Sequence, residues 1–136
     1  NTMMIETAGG VNVAKDVQGQ WTPVTMEQIA AWDPDVIILS NFDSIQPVDL
    51  FEDKLEGQNW KNIKAVREGR VYKAPIGLYR WDAPCVETPL MIKWIAQKLH
   101  PDVFNDYRLT DDLRGFYEKF FSYTLTDADL KMILHE

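Results

Sequence analysis

The run "DVIILS" (residues 35–40) constrains this chain more than any other stretch. It is apolar and β-branched without interruption from Val36 to Ile38, and Leu39 extends it. A strand covered on both faces shows no alternation of apolar and polar residues. The run therefore predicts a strand buried on both faces, parallel to its neighbours and central in the sheet. A second short strand is expected at "RVYKAP" (residues 70–75), closed by Pro75. Residues 48–68 between them read as helix, ended by Gly69. Alternating strand and helix argues for an α/β layered domain. Two strands are too few for a stable open sheet. Either short strands form around "VNVA" and "TPV", or further strands lie before Asn1.

Helix boundaries are marked by local chemistry. An opening helix is stopped at Gly9-Gly10. Thr25 and Gln28 fit a capping box, with Glu27 in the first turn between them. That helix ends at Asp33-Pro34, because the residue before proline avoids the α region. "NFDSIQP" (residues 41–47) is the loop that leaves the first strand, and "IGLYRWDAPCVE" (residues 76–87) follows the second. Thr88-Pro89 starts a helix whose apolar face is Leu90, Trp94, Ile95 and Leu99, and Pro101 stops it. Two more helices are expected, one over Asp111 to Phe121 despite Gly115, one from the N-cap Thr126 onward.

With 136 residues the chain has the length of one domain. Its net charge of −7 and the absence of a basic patch exclude nucleic acid as a partner and disfavour an anionic membrane surface. The single cysteine, Cys85, rules out an internal disulfide. No apolar run approaches membrane-spanning length. The chain begins at Asn1 without a signal peptide, so any targeting segment is expected upstream.

Few residues are arranged for catalysis. His100 and His135 have no partner at metal-ligand spacing, so no metal bound by side chains is expected. Cys85 as a nucleophile would need a base, and His100, at the far end of the following helix, is the candidate. The plainer reading of Cys85 is a small side chain in a loop. The pairs Asp33/Asp35 and Asp111/Asp112 flank proline or open helices, where acids are favourable. What stands out is "GLYRWDAP" (residues 77–84). Tyr79, Arg80 and Trp81 follow the end of a strand, where open α/β sheets bind ligands. Arginine offers bidentate contact to anionic oxygens, and Tyr and Trp offer flat contact area. The local alternative is that Tyr79 and Trp81 cover the core while Arg80 pairs with Asp82. Asn41 and Phe42 leave the first strand and are expected at the same sheet edge.

Taken in order, "AGGVNVA" (8–14), "VTMEQIAAWDPDVIIL" (24–39), "WKNIKAVREGRVYKAP" (60–75) and "RWDAPCVETPLMIKWIAQKLHPDVF" (80–104) resemble one protein class. It is the substrate-binding protein of ABC importers for ferric siderophores, haem and cobalamin, the class III periplasmic binding proteins. "DLRGFYEKFFSYTLTDADLKMIL" (112–134) resembles a C-terminal extension of iron-complex binders of this type. The resemblance implies that residues 1–136 form a single domain, most of a C-terminal lobe. That lobe would be Rossmann-like, with a small, mostly parallel sheet flanked by helices and with C-terminal helices added. An N-terminal lobe, a linker helix and the first strands would be missing. It implies a non-enzymatic, extracytoplasmic protein, periplasmic or lipid-anchored, holding an iron complex, haem or corrinoid between two lobes. It needs no cofactor, since the ligand carries its own metal. Ligand contacts would come from Tyr79, Arg80, Trp81, Asn41 and Phe42, and Cys85 sits where a small residue is expected. Glu27 would dock into arginine pockets of the ABC permease, a role suited to a carboxylate on a capped, rigid helix end. A truncated lobe would pair with a second copy to cover its open sheet edge. The competing class is a small α/β enzyme, hydrolase or redox, using Cys85.

Overall fold

The computed structural model describes residues 1–19 and 21–136. In chain order the elements are α1 (Thr2–Thr7), α2 (Met26–Trp32), β1 (Ile37–Leu39), α3 (Pro47–Phe51), α4 (Lys64–Arg67), β2 (Val71–Lys73), α5 (Thr88–Leu99), α6 (Leu109–Phe121) and α7 (Asp127–Leu134). The chain divides into two compact units. One is Val11–Lys73; the other joins Asn1–Gly10 to Ala74–Glu136.

In the Val11–Lys73 unit, β1 and β2 pair in parallel, with Ile37 opposite Val71, Ile38 opposite Tyr72 and Leu39 opposite Lys73. The parallel pairing follows the apolar, β-branched run. Burial on both faces does not: all three residues of β1 are only half-buried. Among the described residues β1 has one neighbouring strand, so its other edge lacks a partner that would exclude water. Residues 11–14 and 22–24 form no strand. The core of this unit is Leu50, Ile63, Ala65, Val66 and Val71, with Ile29, Ile37 and Trp60 packed against it. Each fully covered aliphatic side chain there contributes roughly 1.5–3 kcal/mol.

The single helix expected over residues 48–68 is instead α3 and α4, separated by turns. Asp49 opens α3 by accepting the Gln46 amide at 2.8 Å. Asp53 then enters the left-handed region (φ 56°), as does Gly57 (φ 75°), and both break the helical path. The Asp53 carboxylate accepts the Trp60 amide at 3.3 Å, offering the backbone an alternative to the helical ladder.

In the other unit α5 runs over the residues that Pro89 and Pro101 mark out. Leu90, Met91, Trp94 and Ile95 are buried on it, while Leu99 is half-buried. Gly9-Gly10 both ends α1 and lets it approach α5. A Cβ on Gly10 would come within 2.6 Å of Leu99 Cδ1, and one on Gly9 within 2.9 Å of His100 Nε2. α6 starts at Leu109, two residues before the expected boundary, and ends with Ser122 in the left-handed region. Thr126 caps α7 reciprocally with Asp129: its hydroxyl accepts the Asp129 amide at 3.1 Å, and its own amide donates to the Asp129 carboxylate at 2.8 Å.

Candidate functional site

The loop after β2 is fastened at its base. The Ile76 amide donates to the Ile133 carbonyl at 3.0 Å, and His135 Nε2 lies 3.0 Å from the Ala74 carbonyl. The Trp81 amide donates to the Pro75 carbonyl, and Ile76 and Arg80 form an antiparallel bridge, so residues 76–80 make a closed tip.

The three aromatic and basic candidates on this tip go to different places. Tyr79 is 54% exposed. Arg80 is half-buried, its guanidinium 5.8 Å from the Tyr79 ring centroid and its Nε 3.7 Å from the Asp82 carboxylate. Trp81 is fully buried (0% exposed) and belongs to the core of its unit. Thus Trp81 covers the core and Arg80 pairs with Asp82, as the local alternative holds, whereas Tyr79 faces outward.

In the Val11–Lys73 unit, Asn41 is half-buried and Phe42 is 57% exposed. The Phe42 ring meets Trp21 edge-to-face, with centroids 4.4 Å apart and planes at 89°. Trp21 is 70% exposed and has a φ of 60°, which a tryptophan rarely adopts. The sequence marks it only as a tryptophan two residues before Pro23. The Phe42 loop is held from below by Lys73. This buried lysine donates to the carbonyls of Asp43 (3.0 Å) and Ile45 (2.9 Å), with the Asp43 carboxylate 3.5 Å away. A buried ammonium is tolerated only when its protons are so used.

Glu27 stands exposed in the first turn of α2. The Thr25 hydroxyl caps the helix by accepting the Gln28 amide at 3.2 Å. The Glu27 backbone amide, then the Thr25 hydroxyl, hold the Glu27 carboxyl below its ordinary range. The side chain is therefore a fixed negative charge at a rigid helix end.

Cys85 is half-buried, with its amide donating to the Thr88 hydroxyl at 2.9 Å. Cys85 precedes α5 and His100 follows it, so the helix rise alone separates them by roughly 18 Å. His100 Nε2 instead lies 3.3 Å from the Gly9 carbonyl. A thiol with its candidate base a helix length away is not an activated nucleophile. Among the described residues no group of three or more His, Cys, Asp or Glu is placed to hold a metal ion. Among them, too, no helix is long and apolar enough to cross a membrane.

The family described as "Periplasmic binding protein" matches residues 2–76. The chain is 29% identical over 120 residues to the molybdate-binding protein MolA of Haemophilus influenzae, a span of 88% of this chain and 33% of MolA. A periplasmic solute binding protein of Veillonella parvula superimposes with a TM-score of 0.94 at 63% identity, over 99% of this chain and 41% of that one. An ABC transporter solute binding protein of Sulfurospirillum deleyianum follows with a TM-score of 0.80 at 31% identity, over 99% and 41%. The chain thus spans 33–41% of the length of these relatives.

Proposed function

The chain belongs to the periplasmic binding protein family, and from that premise we propose that residues 1–136 are most of the C-terminal lobe of the substrate-binding component of an ABC importer. A protein of this kind holds its ligand and hands it on unchanged, so no residue need be catalytic. It works outside the cytoplasm, as a free periplasmic protein or one tethered to the membrane by a lipid.

The observation that carries the reading is the exposure of large aromatic rings on loops that are pinned from beneath. Tyr79 stands on a tip closed by backbone hydrogen bonds, and Phe42 on a loop tied to Lys73. Exposed aromatic area on rigid backbone is the signature of a surface that something else covers. Flat, stiff rings suit a bulky metal chelate: a ferric siderophore, haem or a corrinoid. Within the Val11–Lys73 unit Trp21 joins Phe42 in offering such a face and Asn41 adds a polar group; in the other unit Arg80 adds one next to Tyr79. Trp81 supports the tip from the core. Glu27, charged and exposed, is the docking residue for an arginine pocket on the permease.

A second reading, a small oxyanion, is favoured by the likeness to a molybdate-binding protein over most of this chain. An oxyanion needs N–H donors and arginine rather than rings. Tryptophan-fluorescence titration of the full-length protein separates the two. The panel is a ferric catecholate siderophore, ferric citrate, haem, cobalamin and molybdate, with Tyr79→Ala and Trp21→Ala variants alongside. A chelate that binds saturably and is weakened in both variants supports the first reading. Binding of molybdate alone, indifferent to both variants, supports the second, and silence across the panel refutes both.

A further inference from the structure

The tip that carries Tyr79 rests on a buried acid. Glu87 is the N-cap residue of α5 and has no exposed surface (0%). One carboxylate oxygen accepts the Tyr117 hydroxyl of α6 at 2.6 Å, and the other accepts the Tyr79 amide at 3.2 Å. The Tyr117 hydroxyl in turn accepts the Leu78 amide at 3.2 Å. Gly77 lies directly against the pair. A Cβ there would fall 2.1 Å from Glu87 Oε1 and 2.6 Å from Tyr117 Oη, so only glycine permits this approach. Three consecutive residues of the tip are thus matched to the same two side chains. Burial and the Glu87 hydrogen bond push the Tyr117 hydroxyl well above the usual range for a phenol, so it stays a donor to Glu87.

Packing alone does not explain the arrangement. A buried carboxyl is costly unless its lone pairs are used, and an apolar pair of similar volume would fill the space as well. What the polar pair adds is direction, because it fixes where the Leu78 and Tyr79 amides point. We propose that Glu87 and Tyr117 are a positioning pair that holds the Leu78–Tyr79 tip in its binding shape without touching the ligand. The proposal rests on the reading of Tyr79 as a ligand contact. Holding the tip in one shape beforehand removes the ordering cost that binding would otherwise meet.

The test uses the full-length protein with Tyr117→Phe and Glu87→Gln. Phe removes one hydroxyl and keeps the ring. Gln keeps an oxygen for the Tyr79 amide and turns its NH2 toward Tyr117. Hydrogen exchange is read at Leu78 and Tyr79, with Trp94 and Ile95 of α5 as internal controls. In Tyr117→Phe, exchange at Leu78 should speed up about tenfold while α5 stays protected, and Glu87→Gln, which keeps the acceptor oxygen, should retain most of the wild-type protection at Tyr79. Unchanged exchange at the tip overturns the proposal, and so does an equal rise across α5, which would mark a merely structural loss. In parallel, titration with a ferric catecholate siderophore and with molybdate should show about tenfold weaker binding of whichever probe the wild type holds. Weakened protection with unchanged affinity refutes the link to binding. If the wild type holds neither of these probes, the titration passes to ferric citrate, haem and cobalamin; silence across all five refutes the ligand reading, while the exchange data still decide on the pair.

Discussion

Asp33 ends α2 and starts α4. Its backbone adopts the left-handed region (φ 38°) after Trp32, and its carboxylate accepts the Lys64 amide at 2.8 Å, thirty-one residues along the chain. Lys64 Nζ also reaches the neighbouring Asp35 at 2.5 Å. The Asp33-Pro34 pair is thus more than a stop signal: it ties the turn before β1 to the helix before β2.

Asp33→Ala should therefore cost about 1 kcal/mol, the usual worth of a capping side chain. Asp33→Asn keeps an acceptor oxygen and tolerates the left-handed backbone, so it should cost less than half as much. Urea unfolding of the three proteins checks both values.

Tyr79 and Trp81, two positions apart, should part company in two assays. Trp81→Ala empties a fully buried site and should destabilise by about 3–5 kcal/mol. Tyr79→Ala removes an exposed ring and should move stability by less than about 0.5 kcal/mol, yet weaken ligand binding. Chemical denaturation alongside the fluorescence titration measures the contrast.

Asp112 gives a pH signature. The Lys93 ammonium, then the Tyr107 hydroxyl at 2.6 Å, hold its carboxyl below the ordinary value of 3.8. A depressed folded pKa contributes stability that is fully present above the unfolded value and lost as pH falls through the folded one. The stability gap between wild type and Asp112→Asn should hold steady from neutral pH down to about 5 and close below 3.8. The side chain is about a third exposed, so the gap itself is small. Denaturation midpoints at a series of pH values follow it.

Glu27→Gln separates docking from binding. The fully exposed carboxyl lies away from any core, so ligand affinity and melting temperature should be unchanged. Uptake through the reconstituted permease should fall at least about tenfold if this carboxylate docks against arginine as proposed. Full uptake by the variant would return Glu27 to the role of an acid that complements a helix dipole.

What was legible in the sequence was local. Pro89 and Pro101 fix α5, Thr126 opens α7, and the β-branched run marks β1. These signals act within a turn or two of their own residues. The split of residues 48–68 escaped because Asp53 takes a left-handed conformation that its residue type permits without announcing it. The exposure of β1 escaped because an apolar run reports what a strand is able to bury, not how many neighbours it meets. At the candidate site, residues 79–81 pass through a bend, a single bridge and a turn, so no helix or strand period tells which of "YRW" faces outward. The Glu87–Tyr117 bond joins residues thirty positions apart, and neither periodicity nor spacing records such a pairing.

The bond from the Ile76 amide to the Ile133 carbonyl has a consequence for synthesis. On the ribosome the tip bearing Tyr79 emerges long before α7 exists. Until α7 is made, Ile76 has no Ile133 to meet and the Ala74 carbonyl has no His135 beside it. Tyr117 is made earlier, with α6, so the partners of the tip's centre exist before those of its base.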